Sequence, residues 1–263
     1  MRHERIPLGG GVSEGFMDTY LLDRSPELPR EKGRPAMVVC PGGGYCFTSD
    51  REAEPVAIRF ASLGFQSFVV RYSVEPARFP TALLELSRAV AEVRAHAEEW
   101  DVDPERIVVC GFSAGGHLAG SLGMFWNRDF VRNALGFSGG ENRPNGLVLC
   151  YPVISSGVYG HQDSFRCLLG DRYEDLKESL SLENQVSPDT PPVFLWHTDE
   201  DDVVPPENSL LLSLALRRAG IPQELHLFPK GGHGLSLCTE ESGPVQPECD
   251  IWPDLVSDWV RQL

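Results

Sequence analysis

The 263-residue chain is 41% hydrophobic and carries 23 basic against 38 acidic residues, a formal net charge of −15. That length and apolar content bury one large core, so a single domain over 1–263 is expected, and the acidic balance argues against nucleic acid or anionic membrane as partners. No stretch approaches the roughly 20 apolar residues of a membrane helix, and residues 1–7 lead into no apolar run of the signal-peptide kind, which together predict a cytoplasmic protein.

Along the chain, strand-like runs alternate with helical ones. Residues 36–40 and 67–72 are short and β-rich, and 54–63 between them has helical spacing that ends at Gly64. The stretch 80–100 reads as a long amphipathic helix with Leu83, Leu84, Ser87, Val90, Ala91 and Arg94 along one side, and 102–104 as a loop. Residues 106–110 form an apolar strand that runs into a small-residue helical stretch. Further strands are expected at 147–150, 193–197 and 224–228. Pro205 and Pro206 open a helix that continues through 209–216 and stops at Gly220, and 251–263 reads as a C-terminal helix packed through Trp252 and Trp259. The longer segments 127–145 and 157–187 are less regular and are lid or pocket-wall candidates.

Such alternation with unbroken apolar strands predicts an α/β fold, a mostly parallel central sheet covered by helices on both faces. Ligands in such folds sit at the carboxyl ends of the strands.

At the end of one such strand stands Gly111-Phe112-Ser113-Ala114-Gly115. Gly-x-Ser-x-Gly between a strand and a helix is a nucleophile elbow, a turn tight enough to need small residues around one exposed hydroxyl. A serine hydroxyl is a weak nucleophile near neutral pH and needs an imidazole to accept its proton, while a carboxylate orients that imidazole. In this fold the expected chain order is serine, acid, histidine. His233, in Gly231-Gly232-His233-Gly234, follows both an acidic cluster and the final strand. His3, His96 and His226 fall on a chain end, a surface helix and a strand; His117 reads as a packing residue, and His161 and His197 as pocket candidates. Among Asp199, Glu200, Asp201 and Asp202 the residues alone leave the acid open.

Pro41-Gly42-Gly43-Gly44-Tyr45 directly follows the strand 36–40. Glycines there let backbone N–H groups approach a developing oxyanion closely. With the elbow, this loop, 49–55, 71–74, 149–153, 191–198 and 205–210, the chain resembles serine esterases of the α/β-hydrolase superfamily, in particular the bacterial acetyl-xylan and feruloyl esterase-like group. Pro41 stands where many of those enzymes carry a histidine. The resemblance implies a Ser113, Asp201, His233 triad, with Asp201 selected by the Asp-x-x-Val-Pro arrangement and Asp202 as runner-up. It also implies an oxyanion hole of Gly43, Gly44 and Ala114, and hydrolysis of small acyl esters, acetyl foremost, of carbohydrates.

Tyr45, Trp126, His161 and Ser164 are candidate substrate contacts. The expected partner is a small-molecule or oligosaccharide ester, and a homo-oligomer is compatible with the sequence. No cofactor is expected, and no metal, since the seven cysteines show no Cys-x-x-Cys pair and Cys40, Cys110 and Cys150 close apolar runs. An arylformamidase-like amide hydrolase or a serine peptidase would use the same triad, and a non-catalytic relative would lack one of its members.

Overall fold

Unbroken apolar strands decide the architecture. In the computed structural model, which describes residues 1–11, 13–28 and 30–263, eight strands form one sheet in the order β1-β2-β4-β3-β5-β6-β7-β8. β1 (Arg5–Pro7) pairs antiparallel with β2 (Phe16–Tyr20), and β2 antiparallel with β4 (Gln66–Arg71). β3 (Arg34–Cys40), β5 (Val102–Phe112), β6 (Gly146–Cys150), β7 (Val193–Thr198) and β8 (Gln223–Phe228) complete the parallel part.

Successive side chains of a strand leave opposite faces. Val38, Val109, Leu147 and Leu195 therefore feed one core, and their neighbours Val39, Val108, Val148 and Trp196 the other. Both faces are dry, so no polar residue is needed at alternate positions. α1 (Glu54–Ser62) and α8 (Trp252–Val260) cover one face through Val56, Phe60, Trp252 and Val256. The other is covered by α2 (Thr81–Ala95), α3 (Ala114–Phe125), α4 (Asp129–Leu135), α5 (Gln162–Leu169) and α7 (Glu207–Ala219). This is the α/β-hydrolase fold, and every loop that carries a candidate catalytic group leaves a strand at its carboxyl end.

Three elements differ from the sequence reading. Residues 102–104 are not a loop: Val102 pairs with Arg34 and begins β5. The buried side of α2 is formed by Leu83, Leu86, Val90 and Val93, while Leu84, Ala91 and Arg94 are only half-buried, so the apolar stripe is rotated from the expected one. β1 and β2 have no counterpart in the expected strands, because β1 is three residues long with a proline and β2 buries Asp18 and Thr19, which breaks the apolar pattern. Segment 127–145 holds α4, and 157–187 holds α5, the short α6 (Tyr173–Leu176) and 3-10 turns.

Glu85, on α2 and almost wholly buried, ties the antiparallel end to the parallel core. Its carboxylate accepts from the Ser13 hydroxyl, the Gly15 N–H (3.1 Å), and both the N–H (2.6 Å) and hydroxyl (2.6 Å) of Ser73. Removing it leaves the buried Gly15 N–H and the half-buried Ser13 and Ser73 groups without their shared acceptor, so Glu85→Ala should cost about 3 kcal/mol and lower Tm by roughly 10 °C. Thermal denaturation of the variant beside the parent chain checks this.

Candidate active site

β5 ends at Phe112 and α3 begins at Ala114, so Ser113 alone makes the turn between them. It does so at φ 52°, in the left-handed region that residues with a Cβ rarely adopt. The strain is enforced by crowding: a Cβ on Gly111 would lie 2.1 Å from the Gly115 carbonyl oxygen, and one on Gly115 2.2 Å from that of Cys40. Ser113 N–H donates to the Cys150 carbonyl (3.0 Å) and its own carbonyl accepts from Val153 N–H (3.0 Å), which pins the turn to the end of β6.

His233 comes from the loop after β8. Its Nε2 lies 2.8 Å from Ser113 Oγ and its Nδ1 2.6 Å from Asp201 Oδ2. A carboxylate at Nδ1 fixes the proton there, which leaves Nε2 to accept from the serine hydroxyl. Asp201 Oδ1 accepts the N–H groups of Val203 (3.1 Å) and Val204 (2.9 Å). Behind it, the wholly buried His197 donates from Nε2 to the Val204 carbonyl (2.9 Å) and lies 3.2 Å from Asp201 Oδ2, while its Nδ1 accepts from the Ser209 hydroxyl (2.8 Å). Burial pushes the Asp201 carboxyl upward, but hydrogen bonds from His197 and His233 and from the Val204 backbone outweigh it and hold the group well below the usual carboxylate range. Asp199, Glu200 and Asp202 are exposed, so one carboxylate of the run turns inward and the others are solvated.

Opposite Ser113 runs the loop after β3. Gly42 N–H donates to Glu52 Oε2 (2.8 Å), whereas the N–H groups of Gly43, Gly44 and Ala114 meet no acceptor among the described residues. Glu52 is buried, and its other oxygen accepts from the Tyr151 hydroxyl (2.7 Å), which in turn accepts from Ser236 N–H (2.8 Å). Tyr151 also sets its ring edge-on to His233, with centroids 5.1 Å apart. This chain of bonds joins the glycine loop to the His233 loop. Sequence reasoning missed it, because nothing in the residue pattern of the charged stretch 49–55 marks one carboxylate as buried.

These groups share a cleft of about 570 Å³ lined by Gly43, Gly44, Ser113, His161, Val203 and His233 among others. A larger depression of about 790 Å³ adjoins it at Thr48 and Asp50; no histidine is among its lining residues, and its Ser73 hydroxyl is tied to the buried Glu85 carboxylate. Cys46, Glu75 and Cys167 bring donor atoms to metal-ligand spacing, yet Cys46 and Cys167 are joined as a disulfide and their sulfurs are engaged.

Residues 22–216 match the family model BD-FAE. The chain belongs to the BD-FAE family. The matched stretch contains Ser113 and Asp201 and stops short of His233. Among curated relatives, the chain is 41% identical over 213 residues to endo-1,4-beta-xylanase B of Butyrivibrio fibrisolvens, covering 79% of this chain and 33% of that one. It is 31% identical over 219 residues to the acetylxylan esterase of Xylanibacter ruminicola, covering 81% and 43%. It thus spans less than half of either relative. A crystal structure of the acetyl ester-xyloside bifunctional hydrolase from Caldicellulosiruptor lactoaceticus superposes with a TM-score of 0.84 at 37% identity, covering 99% of this chain and 96% of that one.

Of the four expected substrate contacts in this BD-FAE member, only His161 lines the cleft. Ser164 is buried behind it and bonds to its ring (2.8 Å). Trp126 is a correction: α3 carries it about 20 Å from the elbow at 1.5 Å per residue, and there its indole N–H donates to the Asp189 carbonyl (3.1 Å). Tyr45 is a second correction, buried beneath the glycine loop with its hydroxyl on His117 Nδ1 (2.8 Å). His117, also buried, donates from Nε2 to the Leu180 carbonyl (2.9 Å), so it packs as expected and bridges α3 to the segment 157–187.

Burial lowers the His117 imidazole from 6.5 to about 4, against the smaller opposing effect of the Leu180 carbonyl. The unfolded chain then binds the extra proton first, so stability is full above about 6.5 and is lost as pH falls toward about 4. Tm measured across that window should fall with acid in the parent chain and fall less steeply in His117→Gln.

Proposed function

We propose that the chain is a serine carboxylesterase that removes small acyl groups, acetyl foremost, from carbohydrate esters. The observation that carries this reading is the continuous hydrogen-bonded line from Ser113 Oγ through His233 to Asp201, beside the N–H groups of Gly43, Gly44 and Ala114, which meet no acceptor among the described residues. The two curated relatives and the superposed crystal structure, named for xylanase, acetylxylan esterase and acetyl ester-xyloside hydrolase activity, support the choice of ester and alcohol. The 263 residues are taken to act as one hydrolase domain, with His161 as the contribution of 157–187 to the cleft wall; 127–145 supplies none of its lining residues.

In the first half-reaction His233 Nε2 takes the Ser113 proton as Oγ attacks the ester carbonyl. Negative charge then gathers on the carbonyl oxygen, where the N–H groups of Gly43, Gly44 and Ala114 stabilise it without having to reorient. Asp201 stays ionised throughout and stabilises the imidazolium. His233 returns the proton to the departing alcohol oxygen as the tetrahedral intermediate collapses to an acyl-serine. Water, deprotonated by the same nitrogen, then releases the acid and restores Ser113.

The compartment is open to a further reading. Cytoplasmic reductants keep most thiols free, so the Cys46–Cys167 bond favours an oxidising compartment over the cytoplasm expected from the sequence.

Ser113→Ala should lower kcat on an aryl acetate by about 10⁴-fold or more, and Asp201→Asn by about 10³- to 10⁴-fold with little change in KM. Steady-state kinetics on purified protein, with acetylated xylo-oligosaccharides and formyl-kynurenine as further substrates, tests both the machinery and the ester preference. Undiminished turnover by Ser113→Ala would overturn the assignment, and a preference for formyl-kynurenine would move it to the amide hydrolases.

A further inference from the structure

His161 occupies the N-cap of α5, and its ring does the capping. Ser164 N–H donates to Nδ1 at 3.3 Å, and the buried Ser164 hydroxyl lies 2.8 Å from the same atom. A ring nitrogen that accepts a backbone N–H holds no proton, so the proton of the neutral imidazole sits on Nε2. Nε2 meets no acceptor among the described residues, and the residue lines the cleft beside Ser113 and His233. Burial, and then the charge of His233 facing it, make His161 harder to protonate than an ordinary histidine, which preserves this single-donor form.

α5 has little freedom to carry that donor elsewhere. Cys167 is bonded to Cys46 in the loop that carries Gly43 and Gly44, the Cys167 carbonyl accepts from Arg78 Nη1 (2.7 Å), and the Leu168 carbonyl accepts from Phe79 N–H (2.9 Å). The donor is therefore held at a set position relative to the N–H groups that face Ser113.

We infer that His161 Nε2–H recognises the alcohol portion of the substrate, donating to an oxygen adjacent to the ester such as a neighbouring sugar hydroxyl. The inference rests on the esterase reading above. The donors assigned to the reaction are committed: the N–H groups of Gly43, Gly44 and Ala114 to the carbonyl oxygen, His233 to the proton in transit. Thr48, Ser49 and Arg51 also line the cleft, but among the described residues their side chains donate to nothing and have no tether like that of His161. His161 Nε2–H stands outside the reacting set and is fixed in place, so the alcohol side of the ester is what it can meet, and a sugar supplies the acceptor that a simple aryl alcohol lacks.

The test is the ratio of kcat/KM on an acetylated xylo-oligosaccharide to kcat/KM on an aryl acetate. His161→Asn keeps a good capping acceptor at the head of α5 but is too short to present a donor in the cleft, and should lower the ratio by about tenfold, the effect of one neutral hydrogen bond. His161→Gln, whose amide can reach further, should recover part of it. A purely structural role would lower both activities together and leave the ratio unchanged in both variants, which would overturn the inference while leaving the esterase reading intact. A parent chain that cleaves the aryl acetate and not the sugar ester would overturn the substrate part of that reading, and the inference with it.

Discussion

The tight contact between the end of β3 and the start of α3 governs the rest of the molecule. Cys40 and Gly111 are register partners, as are Phe112 and Cys150, so three parallel strands end level with one another. The helix that follows β5 must then leave at once, with its first turn against the carbonyls of Cys40 and Pro41. No side chain fits at Gly111 or Gly115, and the one residue between strand and helix is driven to a positive φ. A single steric constraint thus raises the hydroxyl above the sheet and sets the glycine loop of β3 beside it.

The polar groups around that hydroxyl are held by one another more than by the helices. Glu52 restrains Gly42, Tyr151 restrains Glu52 and borders His233, and Ser236 closes the circuit through the Trp252 indole, which donates to its carbonyl at 2.9 Å. On the other side His197, locked by Ser209 and the Val204 carbonyl, backs Asp201. Such networks gain strength from low polarity around them and are costly when a member is missing. Their benefit is electrostatic: dipoles aimed in advance need no rearrangement when charge develops.

What the sequence disclosed follows the range of the physics involved. The elbow is legible because its constraint is local, glycine spacing around a serine after an apolar strand. His233 is legible because strand order fixes which loops meet. Asp201 could be separated from Asp202 only through family resemblance, since the choice depends on which carboxylate turns inward after β7. Glu52 and Tyr151 stayed hidden because a buried carboxylate or a tyrosine hydroxyl leaves no periodic trace, and His197, expected in the pocket, is instead wholly buried behind Asp201. Tyr45 looked like a cleft residue from its place in the glycine loop, and a positive φ of 62° turns it inward instead. The pairing of Cys46 with Cys167 could not be deduced from seven cysteines whose connectivity no spacing encodes.

That pairing also acts on the chain when it is not folded. The two cysteines are 121 residues apart, and the interval contains β4, α2, β5, α3 and β6 with the serine between them. Closing a loop of that size removes conformations from the denatured ensemble equivalent to about 5 kcal/mol in the chain-entropy description. The unfolded molecule is therefore a ring with two tails, Ser113 lying on the ring and both Asp201 and His233 on the C-terminal tail. Refolding with the bond intact still has to bring both tails to the ring, β1 to β3 from the N-terminal one and the strands that carry Asp201 and His233 from the other.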